Sequence, residues 1–375
     1  MIPLKRGGKD LSQPLLERFL GKLEQFFKTR SSCENYGYLN ARIRARISNF
    51  LTDGDYQRIA EGDLETFEQY LLESPYSESF RFQLVMSHKG ILRRIEAAIA
   101  HHVSRQMRFL REKAEGEAQK LLEIALARSD LLNGRLILRA SFSGNRGGGE
   151  PQWHNYGALP EEFYGELWGN QITSSDIIGK CRANGHPFAL ILARAISEMD
   201  HSRDIVQAER FLLQHMLDFG WQTIASFHSK NSQMLSEYLG RSIDMWNLGI
   251  WLRWQNEYIQ KNEAVGMYIP NGKWLSRERL SKNSSLKELV YLTPWQKTLE
   301  MEGKQSPHDY QRSLFVEFMK WQANLFRGDP LGIEVSLGFM GKYFIEWHNL
   351  NLLAVGLSID LQKENLLSKL IPVSF

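Results

Sequence analysis

The chain has 375 residues, 43% of them hydrophobic and 24% charged, which is the composition of a globular protein long enough to bury a sizeable core. Its 46 basic and 43 acidic residues leave a net charge of +3, so no bulk charge marks it as a nucleic-acid binder. Two distant cysteines, Cys33 and Cys181, form no CxxC pair, which argues against a disulfide framework or a zinc site and for a reducing compartment.

The first residues, MIPLKRGGKDLSQPLLERF, lack the apolar run of a signal peptide. Leu15, Leu16, Phe19, Leu20, Leu23, Phe26 and Phe27 predict a short amphipathic helix over Leu15–Phe27, inside an N-terminal extension of residues 1–34. Packing onto the body, docking on a partner and lying on a membrane surface are its three readings, the last disfavoured by mixed charge on its polar face. Asp63 followed by Leu64, Glu65 and Thr66 opens a helix that Pro75 closes. From Ile91 to about Arg139 the pattern is helical, with Gly116 the expected break.

The stretch Gly144–Gly149 before Pro151 reads as a linker; as a phosphate cradle it lacks a preceding strand and a following GKS/T. A second helical block runs from Leu159 to Tyr258, punctuated at Gly185-His186-Pro187. A third follows Pro270-Asn271-Gly272, passes a polar loop at Ser281–Ser285, and ends in helices from Tyr310 to Leu370 with a turn at Asp329-Pro330. No apolar run approaches the roughly 20 residues that cross a bilayer, so no transmembrane insertion is expected.

One pattern occurs three times. Leu121, Ile124, Asp130, Asn133 and Leu136-Ile137-Leu138 match Leu235, Tyr238, Asp244, Asn247 and Ile250-Trp251-Leu252. Both match Leu337, Met340, Glu346, Asn349 and Leu352-Leu353-Ala354. The acids are 114 and 102 residues apart, too far for a solenoid repeat, so three related helical lobes are expected, over 35–148, 149–262 and 263–375. The apolar triplet in each copy points to several azimuths, which predicts a helix buried nearly all round. Each acid with its Asn one turn on is then a buried polar pair, and each carboxylate needs a donor such as an arginine or a helix N-terminus. Arg139 and Arg253 stand nine residues past their acids, where copy three has Val355. The pairs either fix helix packing or line a shared central cavity.

The stretch Tyr36–Arg46, then Leu51-Thr52 and Phe67–Leu72, resembles the opening of the C subunit of V-type and A/V-type rotary ATPases, whose eukaryotic counterpart is the d subunit. Arg128–Arg139, Asp244–Arg253, Asp329–Ile333 and Glu346–Asn349 resemble that family's later segments, in order, over about residues 35–371. The resemblance implies an all-α fold of three similar lobes about a pseudo-threefold axis, shaped like a funnel. It implies no catalysis and no cofactor, and places the protein at the cytoplasmic side of a membrane. There it is a socket between central-stalk subunits and the membrane proteolipid ring, coupling them during ATP-driven ion transport or ATP synthesis. Leu350-Asn351 and Val355-Gly356 depart from the family's usual Leu-Arg and Gly-Lys, and the N-terminal extension is additional.

Two basic segments are candidate partner contacts: Arg42 and Arg46 at i, i+4, and the helix with Lys89, Arg93, Arg94, Arg105, Arg108 and Arg111, with His101 and His102. A solvated helix face is the plainer reading of such charges. An enzyme is the first competing class, yet there is no P-loop, HExxH or GxSxG, and His201 beside Asp200 or His215 with Asp218 is a weak metal or acid–base pairing. An all-helical adaptor unrelated to rotary ATPases is the alternative function. Nucleic-acid binding ranks third, because aromatics are sparse among the helix's basic residues.

Overall fold

A computed structural model describes residues 35–86, 90–144, 151–169, 172–256, 258–282, 285–299 and 306–373. The expected helix over Leu15–Phe27, and the linker beyond Gly144, lie outside those residues. Among the described residues the architecture is all-α, with nineteen α-helices, two short 3-10 turns and no strand.

The first stretch contains α1 (Tyr36–Arg44), α2 (Asp53–Ala60), α3 (Leu64–Glu73), α4 (Ser77–Met86), α5 (Ile91–Lys113), α6 (Glu117–Leu126) and α7 (Arg128–Ser143). Thr52 and Asp55 form a reciprocal capping box that starts α2, and Asp63 caps α3 through the Thr66 amide at 2.8 Å. Gly116, at φ 61°, separates α5 from α6 in a conformation that side chains disfavour. A second break, at Ala127, interrupts what the sequence pattern reads as continuous helix.

Next come α8 (Glu161–Glu166), α9 (Ser174–Asn184), α10 (Pro187–Ser202), α11 (Ile205–Ala225) and α12 (Lys230–Gln255). Gly185 closes α9, His186 caps α10 and Pro187 takes its first position, so the expected punctuation is one helix–helix corner. The last stretch holds α13 (Lys261–Met267), α14 (Arg277–Lys282), α15 (Leu286–Val290), α16 (Trp295–Leu299), α17 (Pro307–Asn324), α18 (Glu334–Ser358) and α19 (Lys363–Ser368). Asp329-Pro330 forms the turn between α17 and α18, with the Leu331 amide donating to Asp329 Oδ1 at 2.9 Å.

Three hydrophobic cores hold these helices together, and α18 enters all of them. Leu337, Met340 and Tyr343 belong to the first core, Ile345 to the second, and Leu350, Leu353 and Ala354 to the third. A helix that serves cores on several sides must be apolar all round, which is the pattern its sequence carries. At about 1.5–3 kcal/mol for each large side chain fully buried, α18 contributes heavily to hydrophobic stabilisation among the described helices. The first core also joins Leu121 and Ile137 to Ile177, Ile196 and Leu235, so hydrophobic packing crosses the linker at residues 145–150.

Candidate interaction site

Asp130 lies in the first turn of α7 and Asn133 one turn later; both are buried. Asn133 clasps a single residue: its Oδ1 accepts the His154 N–H at 3.0 Å and its Nδ2 donates to the His154 carbonyl at 2.8 Å. The Asp130 carboxylate accepts the Ala158 and Leu159 amides at 2.8 and 3.0 Å and the Tyr164 hydroxyl at 3.0 Å. Gly157 passes so close that a Cβ there would overlap the carboxylate.

The arrangement recurs on α12. Asn247 exchanges the same two bonds with Ile269, at 2.9 and 2.8 Å. Asp244 accepts the Trp274 and Leu275 amides at 3.0 and 3.1 Å, and Gly272 fills the place of Gly157. On α18, Asn349 clasps Ile371, again at 2.9 and 2.8 Å. There the following turn is replaced by a distant one: Glu346 accepts the Leu51 amide at 2.6 Å and the Tyr76 hydroxyl at 2.8 Å.

Three leucine amides are therefore held by three buried acids. Each leucine stands immediately before a residue that opens a helix: Leu51 before Thr52, Leu159 before Pro160, and Leu275 before Ser276, whose Oγ accepts the Arg279 amide at 3.2 Å. Each carboxylate thus sits at the positive end of the helix that follows its leucine. Asp130 and Asp244 hold segments 28 to 31 residues ahead, whereas Glu346 reaches back 295 residues and joins the third repeated helix to the first described stretch.

The donors are amides and hydroxyls, not arginines. Arg139 pairs with Glu209 at 2.5 Å, and Arg253 donates to the Gly249 carbonyl at 3.3 Å. Burial raises the pKa of all three acids, and the bonded amides pull against it. Asp244 is pushed up to about 6 and Glu346 to about 7.

The same three helices line a cavity of about 640 Å³. Arg128 and Leu132 reach it from α7, Tyr238 and Met245 from α12, and Trp347, His348 and Asn351 from α18. The six acid and asparagine residues of the pairs are not among its lining; the residues beside them are. Each repeated helix turns its polar pair toward the clasped loop and the neighbouring side chains toward the cavity. His154 belongs to both, clasped by Asn133 and lining the cavity wall. Sequence reasoning missed the leucine amides, Gly157 and Gly272; a leucine ahead of Thr52, Pro160 or Ser276 is the only local sign of them.

The basic candidates separate into two places. Arg46 stacks over the Phe109 ring at 3.8 Å, and Arg42 lies 5.7 Å from the same ring and donates to the Tyr38 hydroxyl at 2.7 Å. Burial, and then Arg42, lower the Arg46 pKa, and Arg105 adds to this. Arg93 and Arg94 are about 18 Å along α5 from Arg105. Arg94 is engaged, donating to both Glu68 oxygens at 2.9 and 3.1 Å with its side chain only 21% exposed. Arg93 is 75% exposed, with Glu96 at 3.7 Å.

Among the described residues no group of three His, Cys, Asp or Glu side chains is placed to hold a metal ion. His215 Nδ1 lies 2.9 Å from the Phe211 carbonyl, and Asp218 accepts from Gln214 at 3.0 Å, so that pair is spent on its own helix. No described helix is long and apolar enough to cross a membrane.

A family model described as ATP synthase (C/AC39) subunit matches residues 39–368. The C subunit of the A-type ATP synthase of Methanosphaera stadtmanae is 23% identical over 342 residues, covering 85% of this chain and 83% of that protein. The C subunit of the V-type ATP synthase of Thermus thermophilus is 22% identical over 328 residues, 86% and 94% of the two chains. The C subunit of the A-type ATP synthase of Methanococcoides burtonii is 22% identical over 382 residues, 95% and 99%.

Proposed function

This chain belongs to the ATP synthase (C/AC39) subunit family, and we propose that it is the non-catalytic hub through which a rotating central stalk drives, or is driven by, a membrane proteolipid ring. The observation that carries this reading is the closed cycle of clasps. Two of them bind each repeated helix to the loop that opens the next unit, and the third returns from Glu346 to Leu51. A linkage that returns on itself resists shear better than an open row of helices, because opening it requires breaking the buried hydrogen bonds of the closing clasp.

In this reading the units are lobes 35–148, 149–262 and 263–375, arranged about a pseudo-threefold axis like a funnel, with residues 1–34 as an extension. The central cavity, walled by one helix of each repeat, is the seat of the stalk's foot. The opposite contact, with the ring, uses ring loops at the cytoplasmic side of the membrane, with no transmembrane segment of this chain. Arg42, Arg46 and Arg93 are the basic residues available to meet acidic partner groups; Arg94 is taken up by Glu68. A stable contact of either kind needs on the order of 1,600 Å² of buried surface.

The test is co-purification. Tagged full-length chain expressed in its own organism is expected to retain stalk subunits and proteolipid after gentle detergent extraction. Recovery with neither, from membranes in which the ATPase is intact, rejects the hub. The rival reading of an unrelated helical adaptor predicts a different set of bound chains.

A further inference from the structure

The fixed charge on the cavity wall is of one sign. Arg128, opening α7, and Lys369, just after α19, both line it, and no aspartate or glutamate does. Neither cation enters an ion pair with a carboxylate among the described residues. His154 and His348 also line the cavity; burial, with Arg128 beside the first and Arg312 beside the second, lowers both below the ordinary imidazole value. Burial therefore disfavours charge on both rings, and the cationic side chains of the wall are those of Arg128 and Lys369.

The rest of the wall is mostly apolar and aromatic, with Phe318, Phe344 and Trp347 among its residues. At one rim Val355 and Leu361 are 45% and 37% exposed, which continues the apolar surface outward. Oδ1 of Asn351, on the wall, is buried without a donor among the described residues.

While the cavity is open, Arg128 and Lys369 are exposed and solvated. An occupant that fills it strips that water, and an unpaired cation buried in this way is strongly disfavoured. Only an occupant that brings carboxylates to the two cations and apolar side chains to the aromatics escapes the penalty. Residues 1–34 of this chain are unsuited, with seven Lys or Arg against four Asp or Glu. We propose that the cavity selects the end of a partner's helix or helical hairpin that presents apolar side chains flanked by carboxylates, with Arg128 and Lys369 as the selecting residues. This rests on the hub reading above, which makes the partner the central stalk, and adds the chemistry that its foot must carry.

The test is calorimetric titration of the full-length chain with the stalk subunits of its own complex, at low and high salt. Wild-type affinity is expected to fall at least ten-fold as salt rises, and Arg128→Glu with Lys369→Glu to lower it more than a hundred-fold at low salt. Lysine substitutions of carboxylates on the stalk's foot are expected to restore binding to that double variant. A cavity-filling Leu132→Trp variant serves as the second arm. If Leu132→Trp weakens binding while the charge reversals leave it unchanged at both salts, the charge selection is overturned and the cavity remains the seat. If neither changes binding, the stalk does not enter this cavity, and both the selection and the seat fall.

Discussion

Glu346 accepts the backbone amide of Leu51 at 2.6 Å across 295 residues of sequence. In the other two clasps the acid and leucine are 29 and 31 residues apart, and Glu346 receives one backbone amide where Asp130 and Asp244 each receive two. Burial then pushes its carboxyl up to about 7 from 4.5, with the Leu51 amide and Tyr76 opposing. The folded protein therefore holds a proton on Glu346 between about pH 4.5 and 7 that the unfolded chain releases. The resulting stabilisation is fully present below about pH 4.5, lost as pH rises through 7, and worth at most about 3 kcal/mol. Glu346→Gln, which keeps the shape and removes the charge, is expected to match the wild type at pH 5 and to equal or exceed its stability at pH 8. Urea unfolding at the two pH values measures this; a variant equally destabilised at both would show that the charge is not the burden.

Removing the clasp altogether is a different change. Glu346→Ala leaves the Leu51 amide and the Tyr76 hydroxyl buried without their acceptor. A loss of about 3–5 kcal/mol is expected from denaturant unfolding. A loss below about 1 kcal/mol would mean that the closure of the cycle contributes little.

Gly157 and Gly272 are required by the close approach of the Asp130 and Asp244 carboxylates. Alanine at either position is expected to destabilise by about 1–3 kcal/mol through overpacking. Gly179 is exposed within α9 with no atom near the place of a Cβ, so Gly179→Ala is the control, expected to stabilise by about 0.5–1 kcal/mol. Thermal unfolding of the three variants should give opposite signs; a common sign would contradict the packing argument.

Asn247 donates to and accepts from the one backbone of Ile269. Asn247→Asp turns the donor into a carboxylate oxygen facing the Ile269 carbonyl, whereas Asn247→Leu removes both bonds without adding charge. The aspartate variant is expected to be the less stable at pH 8 by about 1–2 kcal/mol, and the gap to shrink toward pH 5 as the new carboxyl takes a proton. Equal stabilities at pH 8 would show that the orientation of the clasp does not matter.

Much of the helical skeleton is legible in the sequence because its signals are local. Asp63 and Pro75 bound α3, Gly116 parts α5 from α6, and His186-Pro187 starts α10. The all-round apolar pattern of Glu334–Ser358 reads as burial, and α18 lies among three cores. The partners of the acids are not legible, since a backbone amide such as that of Leu51 is carried by every residue but proline. Arg139 and Arg253, suggested by equal spacing, point elsewhere because nine residues is two and a half turns, which sets them on the far side of the helix from the acid. Arg93 and Arg94 look equivalent in sequence; only the fold reveals Glu68 beside one of them.

If this chain is the mechanical link between stalk and ring, taking it away must uncouple them. Vesicles reconstituted with head, stalk and ring but without this chain are expected to hydrolyse ATP without moving ions, and addition of the full-length chain to restore ATP-driven transport. Transport that proceeds equally well in its absence would rule out the hub.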